Sequence, residues 1–472
     1  MTLLADFKHK QILVLGAGIT GLSCARYLSA QGLCFAVNDS RANPFAADYS
    51  PAQFSEDFPV ARLQLGQWHS ELISKADIIL ISPGIDSAND EIAKHIRDDC
   101  CVMGDVELFC QINNERGLNK QVPPIELLAV TGSNGKSTVV SLLADLAKSL
   151  GVNAQLGGNI GQPVLDVFTS SSKKEPELII LELSSFQLET LTSMKAIATS
   201  VLNISDDHLD RHLTVANYQK VKQSIYQQGT VAVTNRDDDA TKSPNKNQQV
   251  LSFGSDKPKA NQFGIIKSKG AAYLAFGEQA LISLEELPLA GMHNALNYLA
   301  ALALGYSAGW SISDMVKHLA KFNGLAHRCQ RVASSDKITW INDSKATNVG
   351  ATLAALNGLS PTLSSSNKLI LIAGGDGKGA DFSPLLKPLA EHVSTVITFG
   401  KDGDKIANLA ETVTKVIKVT SLSEAVSSSN NIANDGDIVL LSPACASLDM
   451  FKNFAQRGEQ FMAAVNQLAE AS

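Results

Sequence analysis

Short apolar runs alternate with stretches of helical periodicity along most of this 472-residue chain. Runs such as Ile12–Leu15, 178–183 and 369–373 are almost wholly aliphatic, which is typical of strands buried on both faces of a parallel sheet. Segments with apolar residues every three or four positions follow many of these runs, for example residues 139–150. The alternation predicts an α/β protein with doubly wound sheets.

The pattern divides the chain into three predicted domains, a number that also agrees with about 150 residues per domain. Residues 1–104 begin with a βαβ unit and are expected to form a Rossmann-like domain. Residues 105–324 hold a predicted phosphate-binding loop, and short alternating segments before residue 285 predict a small antiparallel sheet. Residues 325–472 return to apolar strands separated by helical patterns, so a C-terminal doubly wound α/β domain is expected.

The loop that follows the apolar run at 127–130 carries the clearest chemical signal. Its sequence is Thr-Gly-Ser-Asn-Gly-Lys-Ser-Thr, residues 131–138. Glycines let successive backbone N–H groups point at one anion, and the following helix adds partial positive charge at its N-terminus. Lys136 can then reach the outer phosphates, while a hydroxyl of Ser137 or Thr138 can ligate Mg²⁺. The ordinary Walker A spacing would need glycine at Val130, so a glycine-rich turn with an incidental lysine is the structural alternative; the strand–loop–helix context favours nucleotide binding.

A second glycine-rich turn, Gly-Ala-Gly-Ile-Thr-Gly at residues 16–21, follows the first predicted strand. Asp39 stands near the distance at which a dinucleotide fingerprint places its acidic residue. The pattern fits an NAD site, a site for a UDP-linked ligand or a purely structural tight turn. Ser82 and Gly84 follow another buried strand, at the edge where open α/β sheets bind ligands, although Ser-Pro-Gly is also a simple turn sequence.

Several other polar residues stand at ends of predicted strands or on helices. Glu182 ends an aliphatic run, so its carboxylate needs Mg²⁺ or local hydrogen bonds to offset burial. His208 lies in an Asp-rich loop after the next strand, where a functional role is favoured. Lys222 lies on a polar helical segment, and the residues alone predict a solvated surface lysine. Asn294 and Asn297 are one helical turn apart, so they can face one ligand or act as caps.

Composition excludes some classes of function. The net charge of -7 disfavours a large basic surface, so no nucleic-acid partner is expected. Seven cysteines without a C-x-x-C pair argue against a disulfide framework and favour the reducing cytosol. The N-terminus has no signal-peptide pattern and no run approaches transmembrane length, so we expect a cytoplasmic protein without a membrane partner.

Five motifs in this order resemble the Mur ligases of peptidoglycan synthesis, and the resemblance covers essentially the whole chain. The motifs are residues 131–138, Leu-Glu-Leu-Ser-Ser-Phe-Gln at 181–187, Asp207-His208, His327-Arg328 and Asn-Asp-Ser-Lys-Ala-Thr-Asn at 342–348. Segments 157–161, 374–378 and 442–454 favour the member of the family that uses D-glutamate. The chain lacks the Asp-Asn-Pro-Arg signature of members that add diaminopimelate or lysine.

The resemblance implies a three-domain, monomeric, cytoplasmic ligase that uses ATP to add D-glutamate to UDP-N-acetylmuramoyl-L-alanine through an acyl phosphate. The implied cofactors are ATP and Mg²⁺, with two ions, and a carbamylated lysine. The implied metal ligands are Ser137, Glu182, His208 and Lys222 as its carbamate. The implied catalytic residues are Lys136, His208, Lys222 and Lys345.

The resemblance also assigns three groups of binding residues. Those implied for the nucleotide are Gly132, Ser133, Asn134, Gly135, Lys136, Ser137, Thr138, Asn294, Asn297, Arg328 and Asp343. Those implied for the UDP-linked substrate are Ile19, Thr20, Asp39, Arg41, Ser82, Gly84 and Asn159. Those implied for the incoming amino acid are Lys345, Thr347, Lys378, Ser447 and Phe454.

The chain departs from the family pattern at Cys329-Gln330, where an aromatic residue and an acid are expected. Three alternatives stay open: two are functions other than ligation, and the third is a rival within the ligase family. A nucleotide-dependent switch would leave Lys345 and Lys378 without a role, and an NAD-dependent dehydrogenase would leave the loop at 131–138 unexplained. Folylpolyglutamate synthetase also joins glutamate, but it would not need a UDP pocket in its first domain.

Overall fold

The computed structural model describes residues 6–46, 49–118, 122–169, 174–268, 270–289, 291–322, 324–332, 337–359 and 367–471. Residues 170–173 of the predicted polar loop 170–175 and residues 360–366 of the predicted connection 360–367 lie outside these ranges. The described chain forms three parallel or nearly parallel sheets and one small antiparallel sheet, which confirms the α/β prediction.

The first sheet contains five parallel strands in the order β3-β2-β1-β4-β5. Its strands are β1 Ile12–Leu15, β2 Phe35–Asp39, β3 Arg62–Leu65, β4 Ile78–Ile81 and β5 Cys101–Met103. Its helices are α1 Ile19–Ala30, α2 Pro51–Asp57, α3 Ser70–Lys75 and α4 Asp90–Ala93. The strand order reverses beside β1, so the β1 and β4 carboxyl ends flank the crevice where such sheets bind ligands.

The middle sheet has six parallel strands in the order β11-β10-β9-β6-β8-β7. Its strands are β6 Glu126–Thr131, β7 Ala154–Gly158, β8 Leu178–Glu182, β9 Ala196–Val201, β10 Gly229–Asn235 and β11 Gln249–Phe253. The antiparallel strands are β12 Phe263–Ser268, β13 Ala271–Phe276 and β14 Gln279–Ser283, as the short alternating segments predicted. The helices are α5 Asp105–Leu118, α6 Lys136–Ser149, α7 Ser185–Leu188, α8 Leu209–His212, α9 Val215–Gln223, α10 Met292–Ser307 and α11 Ile312–Leu319.

The C-terminal sheet has the strand order β15-β16-β20-β17-β18-β19, and β15 is its antiparallel edge strand. The strands are β15 Gln330–Val332, β16 Thr339–Asn342, β17 Leu369–Gly374, β18 Val393–Phe399, β19 Lys415–Lys418 and β20 Ile438–Leu441. The helices are α12 Val349–Leu359, α13 Leu386–His392, α14 Gly403–Ala410, α15 Leu422–Ile432 and α16 Phe454–Ala471. Both faces of β17 and β20 are buried, as their unbroken aliphatic sequences require.

Contacts between the sheets fix where the carboxyl ends of their strands meet. The first and middle sheets share one continuous apolar cluster, in which Tyr27 and Phe109 both pack against Phe168. Arg26 of α1 also pairs with Asp166 at 2.7 Å across this junction. These contacts hold the first-domain crevice beside the phosphate-loop edge of the middle sheet.

Candidate active site

The loop at 131–138 is shaped by glycine and held by a neighbouring strand end. Gly135 has a φ of 82°, and a Cβ there would lie 2.5 Å from Oδ1 of Asn297, so the turn requires glycine. Asn203 follows β9 and makes two bonds to Asn134: its Oδ1 accepts from the backbone N–H at 2.8 Å, and its Nδ2 donates to the carbonyl at 3.1 Å. Helix α6 begins at Lys136, the first residue of the Lys-Ser-Thr segment that opens the helical pattern in the sequence.

Lys136 lies across its own loop. Its Nζ donates to the carbonyl oxygens of Gly132 at 2.7 Å and Ser133 at 3.0 Å. Desolvation lowers the pKa of Lys136, and nearby Arg328 lowers it further, while Glu182 and Asp207 oppose the shift. The amine is therefore held at the mouth of an amide-lined turn, and in the described part of the chain it has no bond to a carboxylate, an arrangement suited to an anionic ligand.

Lys222 contradicts the surface location that the residues alone predicted. It is 1% exposed, and its Nζ donates to Thr131 Oγ1 at 3.2 Å and Gly132 O at 3.1 Å. The Nζ also lies 4.7 Å from the centre of the Tyr218 ring. Desolvation, followed by repulsion from Lys136, lowers the pKa of Lys222 well below its ordinary value. The helix α9 thus turns this lysine inward, and its fixed surroundings favour the neutral amine.

Glu182 is a buried carboxylate with spare capacity for a cation. Its Oε1 accepts a 2.7 Å bond from Nδ2 of Asn159, while among the described residues Oε2 is buried and has no hydrogen-bond partner. The described ranges contain no cluster of three or more His, Cys, Asp or Glu side chains placed to hold a metal. A lone buried carboxylate oxygen beside a phosphate loop fits Mg²⁺, because this ion usually takes one or two carboxylates and completes its shell with water and phosphate.

His208 lies in a loop with unusual backbone geometry. Its φ is 53°, and its Nε2 is 3.8 Å from Oδ2 of Asp207. The Phe186 ring packs edge-on against the imidazole at 4.8 Å. Desolvation lowers the pKa of His208, although Asp207 acts in the opposite direction. The lowered pKa favours the neutral imidazole, which can ligate a metal.

Residues of the C-terminal domain reach into the same cavity. Arg328 Nη2 donates to Ser137 Oγ at 2.7 Å, and Asn348 Nδ2 donates to Asp207 Oδ2 at 3.2 Å. Lys345 Nζ lies 3.8 Å from the centre of the Phe454 ring, and burial lowers the pKa of Lys345 to about 8. The cavity is lined by Lys136, Ser137, Asn159, Glu182, His208, Tyr218, Lys222, Arg328, Lys345 and Thr347, among others.

An adjoining cavity brings together the residues implied for the nucleoside. Asn294, Asn297, Arg328 and Asp343 line it together with Asn134, Gly135 and Thr138. Asp343 Oδ2 accepts from Ser442 Oγ at 2.9 Å and its Oδ1 accepts from the backbone N–H of Cys329 at 3.2 Å. Burial raises the pKa of Asp343 to about 6. The chain departs from the family pattern at Cys329, but the contact with Asp343 is made by the backbone N–H and does not depend on the side chain.

The residues implied for the incoming amino acid are less closely grouped. Backbone bonds between Asp376 and Ala446, of 3.0 and 2.8 Å, join the loops that carry Lys378 and Ser447, as the common sheet edge predicted. Lys378 is exposed, with a φ of 52°, whereas Ser447 is buried. Neither lines the central cavity, in contrast to Lys345 and Thr347.

The first-domain cavity collects most of the residues implied for the UDP-linked substrate. Ile19, Thr20, Asp39, Arg41, Ser82 and Gly84 all line it. Asp39 accepts from the backbone N–H of Ala17 at 2.9 Å and holds the Arg41 guanidinium with bonds of 3.0 and 2.7 Å. Asn159 is placed elsewhere: it lies in the central cavity beside Glu182.

Sequence reasoning missed some of the residues that shape the site. Asn203 orients Asn134, and Tyr218 lies under Lys222 with its hydroxyl 3.3 Å from Ser133 Oγ. The position of Asn203 directly after an apolar strand was an available signal. Tyr218 carried none, because one tyrosine on a polar helix is indistinguishable from a packing residue.

Comparison with known proteins gives a consistent result over the three domains. Residues 10–104 match the model of the Mur ligase MurD-like N-terminal domain. Residues 130–305 match the Mur ligase middle domain, and residues 327–445 match the Mur ligase glutamate ligase domain.

Similar curated proteins span nearly the same length. The UDP-N-acetylmuramoylalanine--D-glutamate ligase of Colwellia psychrerythraea is 61% identical over 98% of this chain and 98% of its own. The ligase of the same name from Shewanella violacea is 45% identical over 97% of this chain and 95% of its own.

Solved structures share the fold at low identity. The UDP-N-acetylmuramate-alanine ligase of Thermotoga maritima has a TM-score of 0.60 at 16% identity, covering 98% of this chain and 100% of that chain. The MurF ligase of the same organism, solved with ADP, has a TM-score of 0.61 at 16% identity, covering 93% and 95%.

Within the described ranges, none of the helices combines the length and the apolar character needed to cross a bilayer. The three matched domains and the full-length similarity lead to one conclusion: the chain belongs to the Mur ligase family, whose members are ATP-dependent enzymes of peptidoglycan-precursor synthesis.

Proposed function

We propose that this protein joins D-glutamate to UDP-N-acetylmuramoyl-L-alanine with ATP, releasing ADP and phosphate. The observation that carries the proposal is the convergence of Lys136, Lys222, Arg328 and Lys345 on one cavity together with Glu182. The similarity to D-glutamate ligases over nearly the whole chain supports the choice of substrates.

In the first step, the terminal carboxylate of the UDP-linked substrate attacks the γ-phosphate of ATP and displaces ADP, forming an acyl phosphate. Such a transfer depends on positioning and on neutralising the phosphate charge. Lys136 and the N–H groups at the start of α6 neutralise the phosphates, and Arg328, already bonded to Ser137, brings a second cation from the C-terminal domain. Gly132, Ser133, Asn134, Gly135 and Thr138 complete the phosphate loop.

Mg²⁺ supplies further charge neutralisation when it is bound. Ser137 and Glu182 would hold one ion, and Oε2 of Glu182, which has no hydrogen-bond partner among the described residues, supports this assignment. His208 and Lys222, the latter as its carbamate, would serve a second ion. Burial lowers the pKa of Lys222, which favours the neutral amine that adds to CO₂ with loss of one proton, and the resulting carbamate anion would be attracted to the neighbouring Lys136.

In the second step, the amine of D-glutamate attacks the acyl phosphate carbonyl, and phosphate leaves from the tetrahedral intermediate. The amino acid must arrive with a neutral amine and two carboxylates. Lys345 and Lys378 would pair with those carboxylates, and Thr347 and Ser447 would donate hydrogen bonds. Phe454 holds Lys345 through its ring face, so it would position this lysine.

The remaining residues bind the two nucleotides. Asn294, Asn297 and Asp343 would contact the nucleoside of ATP, since they line the cavity beside the phosphate loop. In the first domain, the N–H groups of Ile19 and Thr20 would meet the diphosphate at the start of α1, with Asp39 and Arg41 near the uracil. Ser82 and Gly84 would follow the sugar, and Asn159 would meet the far end of the substrate in the central cavity.

We propose that each of the three domains binds one of the three substrates. Residues 1–104 would bind the UDP-linked substrate, residues 105–324 ATP, and residues 325–472 the incoming amino acid. We further propose that the enzyme works as a monomer in the cytoplasm. One chain carries all the proposed ligand sites, and ATP and UDP-linked precursors are intracellular compounds.

Release of phosphate from ATP tests the reaction and its acceptor together. The assay contains Mg²⁺ and UDP-N-acetylmuramoyl-L-alanine and compares D-glutamate with L-glutamate, L-alanine and diaminopimelate. We expect release with D-glutamate alone. Release with another amino acid would keep the reaction class and change the acceptor, whereas no release with any of them would contradict ligation of this substrate and favour the nucleotide-switch alternative.

A further inference from the structure

Trp68 is an aromatic residue of the first-domain cavity that the proposed roles do not use. Its indole is half-buried: it packs against the apolar cluster that contains Leu13 and Ile79, and it also lines the cavity that contains Asp39 and Arg41. A large ring that contacts the core and also lines a cavity offers an apolar surface to a bound base.

The backbone around Trp68 is fixed from both sides by one buried amide. Asn38, which is 0% exposed, donates from Nδ2 to the carbonyl oxygens of Gln64 at 3.0 Å and Gln67 at 2.8 Å. Its Oδ1 accepts from the backbone N–H of His69 at 2.9 Å. Because the residues immediately before and after Trp68 are both bonded to Asn38 through their backbone, the backbone that carries the indole is held in place before any ligand arrives.

The same loop is attached to the turn that carries Asp39 and Arg41. The N–H of Gly66 lies 3.0 Å from the carbonyl oxygen of Asp39 and 3.1 Å from that of Arg41. The Arg41 guanidinium is in turn held by the Asp39 carboxylate. The loop that carries Trp68 and the turn that carries the polar groups proposed for the uracil are therefore joined by hydrogen bonds.

We propose that Trp68 stacks against the pyrimidine base of the UDP-linked substrate and supplies much of the affinity for that base. The inference rests on the proposed UDP site in the first domain. Stacking on an aromatic side chain needs only the π-face of a base, so Trp68 would provide affinity without selecting the base. The hydrogen-bonding groups near Asp39 and Arg41 would select uracil over other bases. Ile19, 73% exposed on the same cavity, offers the ligand another apolar contact.

The test measures binding of UMP and of ribose 5-phosphate, which lacks the base, with saturating ADP present to occupy the phosphate loop. We expect Trp68→Ala to weaken UMP binding about ten-fold, Trp68→Phe to weaken it only about two- to three-fold, and both variants to bind ribose 5-phosphate as the wild type does. The KM for ATP should not change. Circular dichroism establishes that each variant is folded.

Tryptophan fluorescence provides a second readout, because the chain has three tryptophans and Trp340 is completely buried. UMP should quench the wild type and the control variant Trp310→Phe, but not Trp68→Phe. Equal UMP affinity of folded Trp68→Ala and wild type would overturn the role of Trp68 and leave the UDP site standing. Failure of the wild type to bind UMP would overturn the UDP site itself, and the stacking role with it.

Discussion

The central cavity and the first-domain cavity treat charge in opposite ways. The central cavity, of about 240 Å³, is lined by Lys136, Lys222, Arg328 and Lys345, and desolvation is the largest cause of the lowered pKa of each. The first-domain cavity is larger, about 600 Å³, and its main charges already form a pair between Arg41 and Asp39. Arg41 is also 60% exposed on its side chain, so water screens it.

The difference shows which site depends on its ligand for electrostatic balance. The protonated forms of these buried side chains are stabilised when a polyanion enters, so the central cavity is suited to phosphate groups. In the first-domain cavity, Arg41 and Asp39 are already paired and Asp86 adds a carboxylate to the lining, so we expect shape and hydrogen bonds to dominate recognition of the ligand there. Substitutions of charged residues should therefore have large effects in the central cavity and small effects in the first domain.

The largest effect is expected for Lys136→Ala. This variant loses the amine that neutralises the phosphates, so kcat/KM should fall about a thousand-fold. The fold should be retained, because burial of the Lys136 cation is unfavourable in the free protein and its removal ends that cost. Phosphate release and circular dichroism measure the two outcomes. Lys148→Ala, an exposed lysine on the same helix, is the matched control. Normal turnover by Lys136→Ala would remove the assignment of the phosphate loop.

Lys222→Ala should be nearly inactive, and short carboxylates such as acetate or formate should restore part of the activity. The loss should exceed the 10- to 100-fold that is typical when an outer partner of a metal ligand is removed, since the proposed carbamate is itself a ligand. Phosphate release at increasing acetate concentration measures the rescue. Lys220→Ala, two residues away on the exposed face of α9, should behave as the wild type. An active Lys222→Ala enzyme would exclude the carbamate role.

Asp343→Asn should change stability in a way that depends on pH. The folded-state pKa of Asp343, about 6, lies above its ordinary value of 3.8, so the folded protein binds the extra proton between these values. The contribution of this group to stability is therefore present below pH 3.8 and is lost as the pH rises through 6. The amide keeps an oxygen for the Cys329 N–H and can donate to Ser442, so the free energy of unfolding at pH 7 should rise by about 2 kcal/mol.

Urea unfolding of wild type and Asp343→Asn at pH 4 and pH 7 measures this difference. The gain should nearly vanish at pH 4, where the wild-type carboxyl is already protonated in the folded state. The exposed Asp98→Asn is the control for the general effect of removing one negative charge. A gain of equal size at both pH values would show that protonation of Asp343 is not its cause.

The smallest effect is expected for Arg41→Ala. The guanidinium is largely exposed and its charge is already paired, so the KM for the UDP-linked substrate should rise only about three- to ten-fold, and the KM for ATP should stay constant. Steady-state kinetics with each substrate varied in turn measures both constants. Arg62→Ala, an exposed arginine on the neighbouring β3, is the control. A fall in kcat/KM as large as that expected for Lys136→Ala would contradict the difference between the two cavities.

The first glycine-rich turn and the phosphate loop illustrate what could be predicted locally. For residues 131–138, the apolar run before the loop and the helical pattern after it were enough to predict the strand–loop–helix unit. For residues 16–21, the same reasoning predicted the βαβ unit but left NAD, a UDP-linked ligand and a structural turn open. A backbone turn that fits a diphosphate does not identify what is attached to it.

Lys222 and Asn159 illustrate what could not be predicted from local pattern. The residues around Lys222 describe a polar helix, and only the resemblance to the Mur ligases singled this lysine out. Asn159 was grouped with the first-domain residues, but a 2.7 Å bond to Glu182 places it in the central cavity. Both outcomes depend on partners far away in the sequence, which periodicity does not report.

The sequence by itself therefore determined the alternation of strands and helices, the phosphate loop and, through its ordered motifs, the family. These properties depend on backbone preferences and apolar spacing within a few residues, so they can be read along the chain. Only the tertiary structure decided which side chains meet. Lys222 is buried against Thr131, 91 residues away, and Arg328 reaches Ser137 across 191 residues. Desolvation and pKa shifts arise from such packed neighbours, so they exist only once the three sheets bring their strand ends together.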